Sequence, residues 1–308
     1  MLRSIHGSTP TLLIALSCQV LITAPAYAQS GSRGGSSAAA AYYQQLAQQQ
    51  AIQQRQAQAA ALAARQAAAR KEAEQKDAAQ QRKGIAVVEL FTSQGCSSCP
   101  PADAALKQID EVAEKRGLKV YALSFHVDYW DRLGWKDPYS QKDFSTRQST
   151  YAAKKDTNQI YTPQMIVNGT REFLGSDKKK AHENITQALR ARPRASLTLE
   201  ASRPSSAQER KLRLQYSIEG VVDDYAINFA VIQTPQSTDV PRGENAGQSL
   251  SHVNVVRAFK VLVPEDSKGS TEIELPEDLD LKLDTEVVAY LQHKESFSIV
   301  AANATKLR

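Results

Sequence analysis

The chain has 308 residues, 42% of them hydrophobic, with 38 basic and 33 acidic side chains and a net charge of +5. This composition excludes a disordered polyelectrolyte and leaves room for two folded domains. The excess charge lies at the front, where residues 1–83 carry 9 basic and 3 acidic groups; no basic stripe is interleaved with aromatics, so no nucleic-acid partner is expected.

Arg3 and His6 precede an apolar core from about Leu12 to Ala24, and Ala26-Tyr27-Ala28 fits a small-x-small cleavage site. The core is too short to span a bilayer. Residues 1–28 therefore read as a secretory signal peptide cleaved before Gln29, and the mature protein is expected to be periplasmic or secreted, with no stable membrane insertion. Cleavage removes Cys18 and leaves Cys96 and Cys99 as the one pair. An exported protein with a single pair does not use disulfides as a framework, and so short a loop gives a staple little entropic stabilisation. The pair reads as reactive.

Residues 29–83 form a low-complexity spacer. Ser30 to Ser37 is Gly/Ser-rich linker, and Ala38 to Arg82 is mostly Ala and Gln. Helix propensity is high, but Leu46, Ile52 and Leu62 do not recur at three and four residues, so no coiled-coil seam forms. The expectation is a solvated segment, partly helical or disordered.

The first globular unit begins near Gly84. Ile85–Phe91 reads as a buried strand, Ala102–Arg116 as a helix with Ala105, Leu106, Ile109, Val112 and Ala113 inward, and Leu118–Phe125 as a second strand. After an aromatic, charged insertion from His126 to Trp135 comes a helix, Lys142–Lys155, with Phe144, Gln148 and Tyr151 on one face. Gln164–Val167 and Arg171–Leu174 form a hairpin around Asn168-Gly169, and Ser176–Ala191 closes the unit as a helix. Arg192-Pro193-Arg194 marks the boundary between domains 84–193 and 194–308. Beyond it Ala195–Ala201, Leu212–Ile218, Tyr225–Gln233, Val255–Val263, Thr271–Leu275, Glu286–Gln292 and Ser298–Ala302 read as strands with no long helix among them. That predicts a small all-β, sandwich-like domain.

Cys96-Ser97-Ser98-Cys99 stands at the first strand-to-helix turn. Amides at a helix start stabilise a thiolate, and the second sulfur resolves the mixed disulfide that the first one forms. Pro100-Pro101 suit a helix start, which places Cys96 in the loop before the helix. Cys96 is expected to be the nucleophile, the more exposed sulfur and the more acidic one, with Cys99 as its resolving and disulfide partner. No nucleotide-phosphate loop is present, so no organic cofactor is implied.

The order βαβ-α-ββα with C-x-x-C at the first turn makes residues 84–193 resemble a thioredoxin fold, so the expected fold class is an α/β thioredoxin-like domain followed by the β domain. The runs Val88 to Asp103, His126 to Trp130, Gly134-Trp135, Tyr161 to Met165 and Gly243 to Gly247 resemble a bacterial family of secreted proteins of unknown function with a thioredoxin-like domain. The resemblance implies a cis peptide at Thr162-Pro163 beside the thiols, with Thr162 and Pro163 binding substrate backbone. It also implies a buried acid beneath the pair, for which Glu89 is the candidate, as a proton relay to Cys99. The expected function is an exported thiol–disulfide oxidoreductase acting on a protein or small disulfide, with substrate, direction and oligomeric state left open. Two alternatives stay open: a soft-metal (copper) handling protein using Cys96, Cys99 and His126 with an acid such as Asp128, and a non-enzymatic binding module with a structural disulfide. Glu244, Asn245, His252, Asn254 and Arg257 form a polar segment that either is held by its own side-chain hydrogen bonds or docks the two domains, or else reaches the cysteine site and helps choose the substrate.

Overall fold

The computed structural model describes residues 36–81, 84–155, 159–203, 209–220 and 223–307, with side chains described from residue 41 to residue 71 in the first of these stretches. The expected signal peptide, its cleavage site and Cys18 lie outside the described residues. The chain divides into two compact units, Met1–Glu72 and Ala73–Arg308.

Helix α1 (Ser36–Gln81) is continuous, because no glycine or proline interrupts the Ala/Gln run that follows Gly35. Between residues 41 and 71 only Leu46 is half-buried; Tyr42, Tyr43, Ile52 and Leu62 are exposed. No helix among the described residues is long and apolar enough to cross a membrane.

The second unit is a mixed α/β fold built on a large sheet. Strand β1 (Ala86–Thr92) is buried over its whole length, as expected of a central strand with apolar side chains on both faces. Helix α2 (Pro100–Arg116) follows it and leads to β2 (Val120–His126), which pairs parallel with β1. Helix α3 (Lys142–Lys154), the hairpin of β3 (Gln164–Val167) and β4 (Arg171–Leu174), and α4 (Lys178–Arg190) complete this half. Strand β3 pairs antiparallel with the other edge of β1. The hairpin occupies the expected residues because Asn168 and Gly169 both take positive φ, 46° and 71°. A Cβ on Gly169 would also lie 1.9 Å from the carbonyl oxygen of Phe297, so no other residue fits.

Side-chain alternation along β1 sorts its two faces. Ala86, Val88 and Leu90 pack with Ala102 and Leu106 of α2 and Ala181 and Ile185 of α4. Val87 and Phe91 face the other way, into a core with Phe125 and with Phe144 and Tyr151 of α3. Val112, expected inward on α2, is 40% exposed, and Asp103 is buried on that helix instead.

The remaining strands are β5 (Ala195–Ser202), β6 (Lys211–Gly220), β7 (Tyr225–Gln233), β8 (Thr238–Val240), β9 (Gln248–Leu250), β10 (Val255–Leu262), β11 (Lys268–Glu274), β12 (Thr285–His293) and β13 (Ile299–Lys306). The expected separation into two domains at residue 193 is corrected by the pairing. The large sheet has eight strands in the order β13-β12-β7-β10-β2-β1-β3-β4, so strands from both sides of that boundary share it. The join is the free edge of β2, where Val255 pairs with Ser124 and the Ser124 amide donates to the Asn254 carbonyl at 3.0 Å. The physical reason is a common core: Phe91, Phe125 and Tyr151 pack with Ala230, Ile232, Val256, Val288 and Tyr290. The three-stranded sheet β11-β6-β5 alternates buried and exposed side chains along β5 and β6, and covers β7, β12 and β13 through Leu197, Leu199, Leu212 and Leu214. The sandwich expected of residues 194–308 thus takes one of its layers from the extension of the large sheet.

Candidate functional site

Strand β1 ends at Thr92, and the turn from Ser93 to Cys99 carries both thiols to the start of α2. Cys99 is the N-cap of α2, and its carbonyl accepts from the amides of Ala102 and Asp103 at 2.8 and 3.1 Å. Cys96 stands one turn earlier, and its own carbonyl accepts from the Cys99 amide at 3.1 Å. The two sulfurs are present as free thiols. The expectation that Cys96 is the more exposed is corrected: both residues are 0% exposed, while Ser97 and Ser98 between them are exposed. A tight turn that points its serines outward must turn its cysteines inward.

The Cys96 sulfur lies 3.3 Å from the Ser98 hydroxyl and accepts from the Thr162 hydroxyl at 3.3 Å. Trp130 Nε1 in turn donates to the Thr162 hydroxyl at 2.8 Å, which fixes its direction. The Thr162–Pro163 peptide is cis and Pro163 is buried. The Cys96 thiol is lowered to about 6. The largest cause is a hydrogen bond from the Cys99 thiol; burial pulls the other way, and the Ser98 and Thr162 hydroxyls add to the depression. Cys99 is pushed far up, first by burial, then by the hydrogen bond it gives to Cys96 and by the charges of Cys96 and Asp103; the Thr92 hydroxyl opposes this weakly. The pair therefore holds one thiolate and one thiol at neutral pH. Ultraviolet titration of thiolate absorbance should show one group with a midpoint near pH 6, so that thiolate is lost as the pH falls through that value. Cys99→Ala should move the midpoint back toward the ordinary thiol value of about 8.5. An unchanged midpoint in that variant would contradict the assigned cause.

The thiol loop is held by distant segments. Asn245 is buried, and its Nδ2 donates to the carbonyls of Gln94 at 2.9 Å and Cys96 at 3.0 Å. Glu244 accepts from the Ser97 amide at 3.0 Å and the Ser97 hydroxyl at 2.7 Å, and these two bonds, the hydroxyl's first, hold its carboxyl below the usual range. Both residues sit on the tip of the β8–β9 hairpin, between Gly243 and Gly247 at φ of 84° and 81°. Glu244 and Asn245 thus dock this segment on the thiol loop, whereas Asn254 and Arg257 bind elsewhere. Asp137 accepts from the Gln94 amide at 2.8 Å and Trp135 Nε1 donates to the Gln94 side chain at 3.1 Å.

Several expected placements change. Glu89 does not lie beneath the thiols. It points to the α3 face of the sheet, opposite α2, where Arg147 donates to it at 2.8 Å, Tyr290 donates at 2.9 Å and Tyr151 makes a third hydrogen bond. The reason is parity: Glu89 shares its face with Val87 and Phe91, whereas α2 packs on the even-numbered positions. His126 is fully buried and its Nδ1 is 2.7 Å from Asp137. Asp128 pairs with the Ser145 hydroxyl. Among the described residues no group of three or more His, Cys, Asp or Glu side chains is arranged to hold a metal ion. Asn254 binds Asp110 at 2.7 Å, and Arg257 binds Asp278 at 2.6 Å and lies over the Tyr139 ring.

Asp103 and Asp137 escaped the sequence reading. Asp103 left a usable signal, a carboxylate within the apolar stripe of α2 between Ala102 and Ala105. Asp137 left none, because its burial depends on folding of the loop from Asp131 to Ser140.

The sequence matches the family described as "Protein of unknown function (DUF1223)" over residues 87–292. A structural-genomics protein from Agrobacterium tumefaciens is similar at 26% identity and a TM-score of 0.54, with 73% of this chain and 94% of that one covered. A domain of the outer membrane lipoprotein Omp28 from Porphyromonas gingivalis aligns at 7% identity and a TM-score of 0.22, over 37% of this chain and 96% of that one, a likeness that carries no argument. No curated protein matches the chain.

Proposed function

We infer the function of this chain, which belongs to the DUF1223 family of proteins of unknown function, from its site: it is an exported thiol–disulfide oxidoreductase with a thioredoxin-like arrangement around Cys96 and Cys99. The observation that carries the reading is the setting of the Cys96 sulfur, 3.3 Å from both the Ser98 and the Thr162 hydroxyls and beside the cis Thr162–Pro163 peptide. Cys96, depressed to about 6, is a thiolate at neutral pH, and Cys99 keeps its proton. The Cys96 thiolate attacks one sulfur of a substrate disulfide, forming a mixed disulfide and releasing the first substrate thiolate. Cys99, once deprotonated, attacks the Cys96 sulfur, breaks the mixed disulfide and releases the second thiolate. The pair ends oxidised and the substrate reduced; the reverse sequence oxidises a dithiol.

Thr162 and Pro163 bind the substrate backbone beside the Cys96 sulfur, which the Thr162 hydroxyl holds at 3.3 Å. Partners are proteins or small molecules carrying a disulfide or dithiol, met in the periplasm or outside the cell. Equilibration against glutathione buffers tests the reading. A reactive pair should titrate between about −120 and −270 mV, as exchange catalysts do. A pair that stays oxidised below about −300 mV is a structural staple, and that result would leave the binding-module alternative standing.

A further inference from the structure

Beside the thiols lies a group of buried polar atoms that the proposed exchange, as described so far, does not use. Asp103 Oδ1, both ring nitrogens of His252 and Nε2 of His126 are buried without a hydrogen-bond partner. They belong to one contiguous group. Asp103 Oδ1 and His252 Nδ1 are 3.6 Å apart, the His252 and His126 rings meet edge to face at 4.6 Å, and His126 is anchored on Asp137. Native proteins rarely leave buried polar atoms unpaired, and such atoms recur where a proton is handled. Asp103 stands four residues after Cys99, its amide donating to the Cys99 carbonyl across the first turn of α2, so the two side chains leave the same face of that turn. His252 comes from the loop just before β10, so the second half of the chain completes the group.

We propose that Asp103 accepts the proton of Cys99 during resolution and that His252 is the positioning residue that holds the protonated and unprotonated forms of that carboxyl. The proposal rests on the oxidoreductase reading above. The Cys99 S–H bond breaks and its proton passes to Asp103. The thiolate pair forms the bond to the Cys96 sulfur, and the bond from Cys96 to the substrate sulfur breaks, its electrons leaving on the substrate thiolate. The substrate disulfide is the oxidant, and the proton returns to the departing thiolate or to water. Such an acceptor is needed because Cys99 is held strongly in its protonated form. His126 is engaged elsewhere: its Nδ1 is held on Asp137 at 2.7 Å, and although burial would lower its pKa, the charge of Asp137 and that hydrogen bond raise it.

The test uses the full-length protein and an aromatic disulfide reagent, which releases one coloured thiolate when Cys96 attacks and a second when Cys99 resolves. Asp103→Asn should leave the first release within about twofold of the wild-type rate and slow the second more than about tenfold. Asp103→Glu should recover part of the loss, and His252→Gln should give a smaller slowing of the second phase alone. The groups facing the pair are Cys96, Cys99, His126, Asp137, Tyr139 and Arg257. With Asp103 as acceptor, the wild-type second phase should not climb about tenfold per pH unit through the range of ordinary thiol ionisation but should reach a plateau. Equal second-phase rates in the variants and the wild type would overturn the proposal while leaving the oxidoreductase reading intact. Equal slowing of both phases would reduce Asp103 to a structural role and overturn it too. Absence of any first release would overturn both. If Asp103→Asn loses its fold by circular dichroism, the His252→Gln phases and the wild-type profile decide; a wild-type second phase that rises about tenfold per pH unit without a plateau excludes an internal acceptor.

Discussion

Replacing Arg147 by Met should destabilise the second unit by about 3–5 kcal/mol, on the order of 10 °C in melting temperature. The guanidinium donates to Glu89, Tyr151, Tyr290 and Gln292 and lies 4.8 to 5.8 Å from the ring centres of Phe125, Tyr151, Phe259 and Tyr290. Burial alone would lower its pKa, but the Glu89 charge and the tyrosines outweigh burial and raise it, so it stays charged. Without it, Glu89 is a carboxylate in a fully buried strand with no counter-charge. The double variant Glu89→Leu with Arg147→Met should recover much of the loss, since a buried pair replaced by apolar groups of similar volume is often neutral. Chemical denaturation measures all three. Because this pair lies on the face of the sheet away from α2, the Cys96 thiolate titration should be unchanged in every variant that folds. A wild-type melting temperature in Arg147→Met, or a shifted Cys96 midpoint in the double variant, would contradict the assignment of Glu89 to the packing of α3 instead of the thiols.

The second large effect is the asymmetry between the cysteine variants. Cys96→Ser should lose disulfide exchange altogether, with a rate reduced on the order of a hundredfold or more, because the remaining Cys99 is buried and its thiol is pushed far up. Cys99→Ser should keep the attacking step and accumulate mixed disulfides, since nothing then resolves them. Mass spectrometry of the trapped adducts names the substrate, which makes this the most informative variant. In Cys99→Ala, which leaves no donor at this position, loss of the Cys99 hydrogen bond raises the Cys96 pKa, so attack should slow at about pH 6 more than at about pH 8 and recover as the pH rises. Adduct formation of equal extent in both serine variants would show that the thiols are not divided into nucleophile and resolver.

What the sequence determined by itself is what short stretches control. Tyr225–Gln233 and the Gln164–Val167/Arg171–Leu174 hairpin occupy the expected residues, because an apolar run and an Asn-Gly turn act within a few positions. The start of α2 at Pro100 followed from proline geometry, and the place of the thiol pair followed from that start. Strands β8 and β9 have three residues each, too few for any period to show, yet they present Glu244 and Asn245 to the thiol loop. The tertiary structure alone decided what surrounds the cysteines. Asn245 reaches the Gln94 carbonyl across 151 positions, and Tyr290 reaches Glu89 across 201. Glu89 stood on a buried strand by any reading, but which face it took, and therefore whether it served the thiols or α3, depended on where two helices packed. The junction at Ser124 and Val255 was equally hidden, because an open strand edge carries no local mark of the partner that closes it.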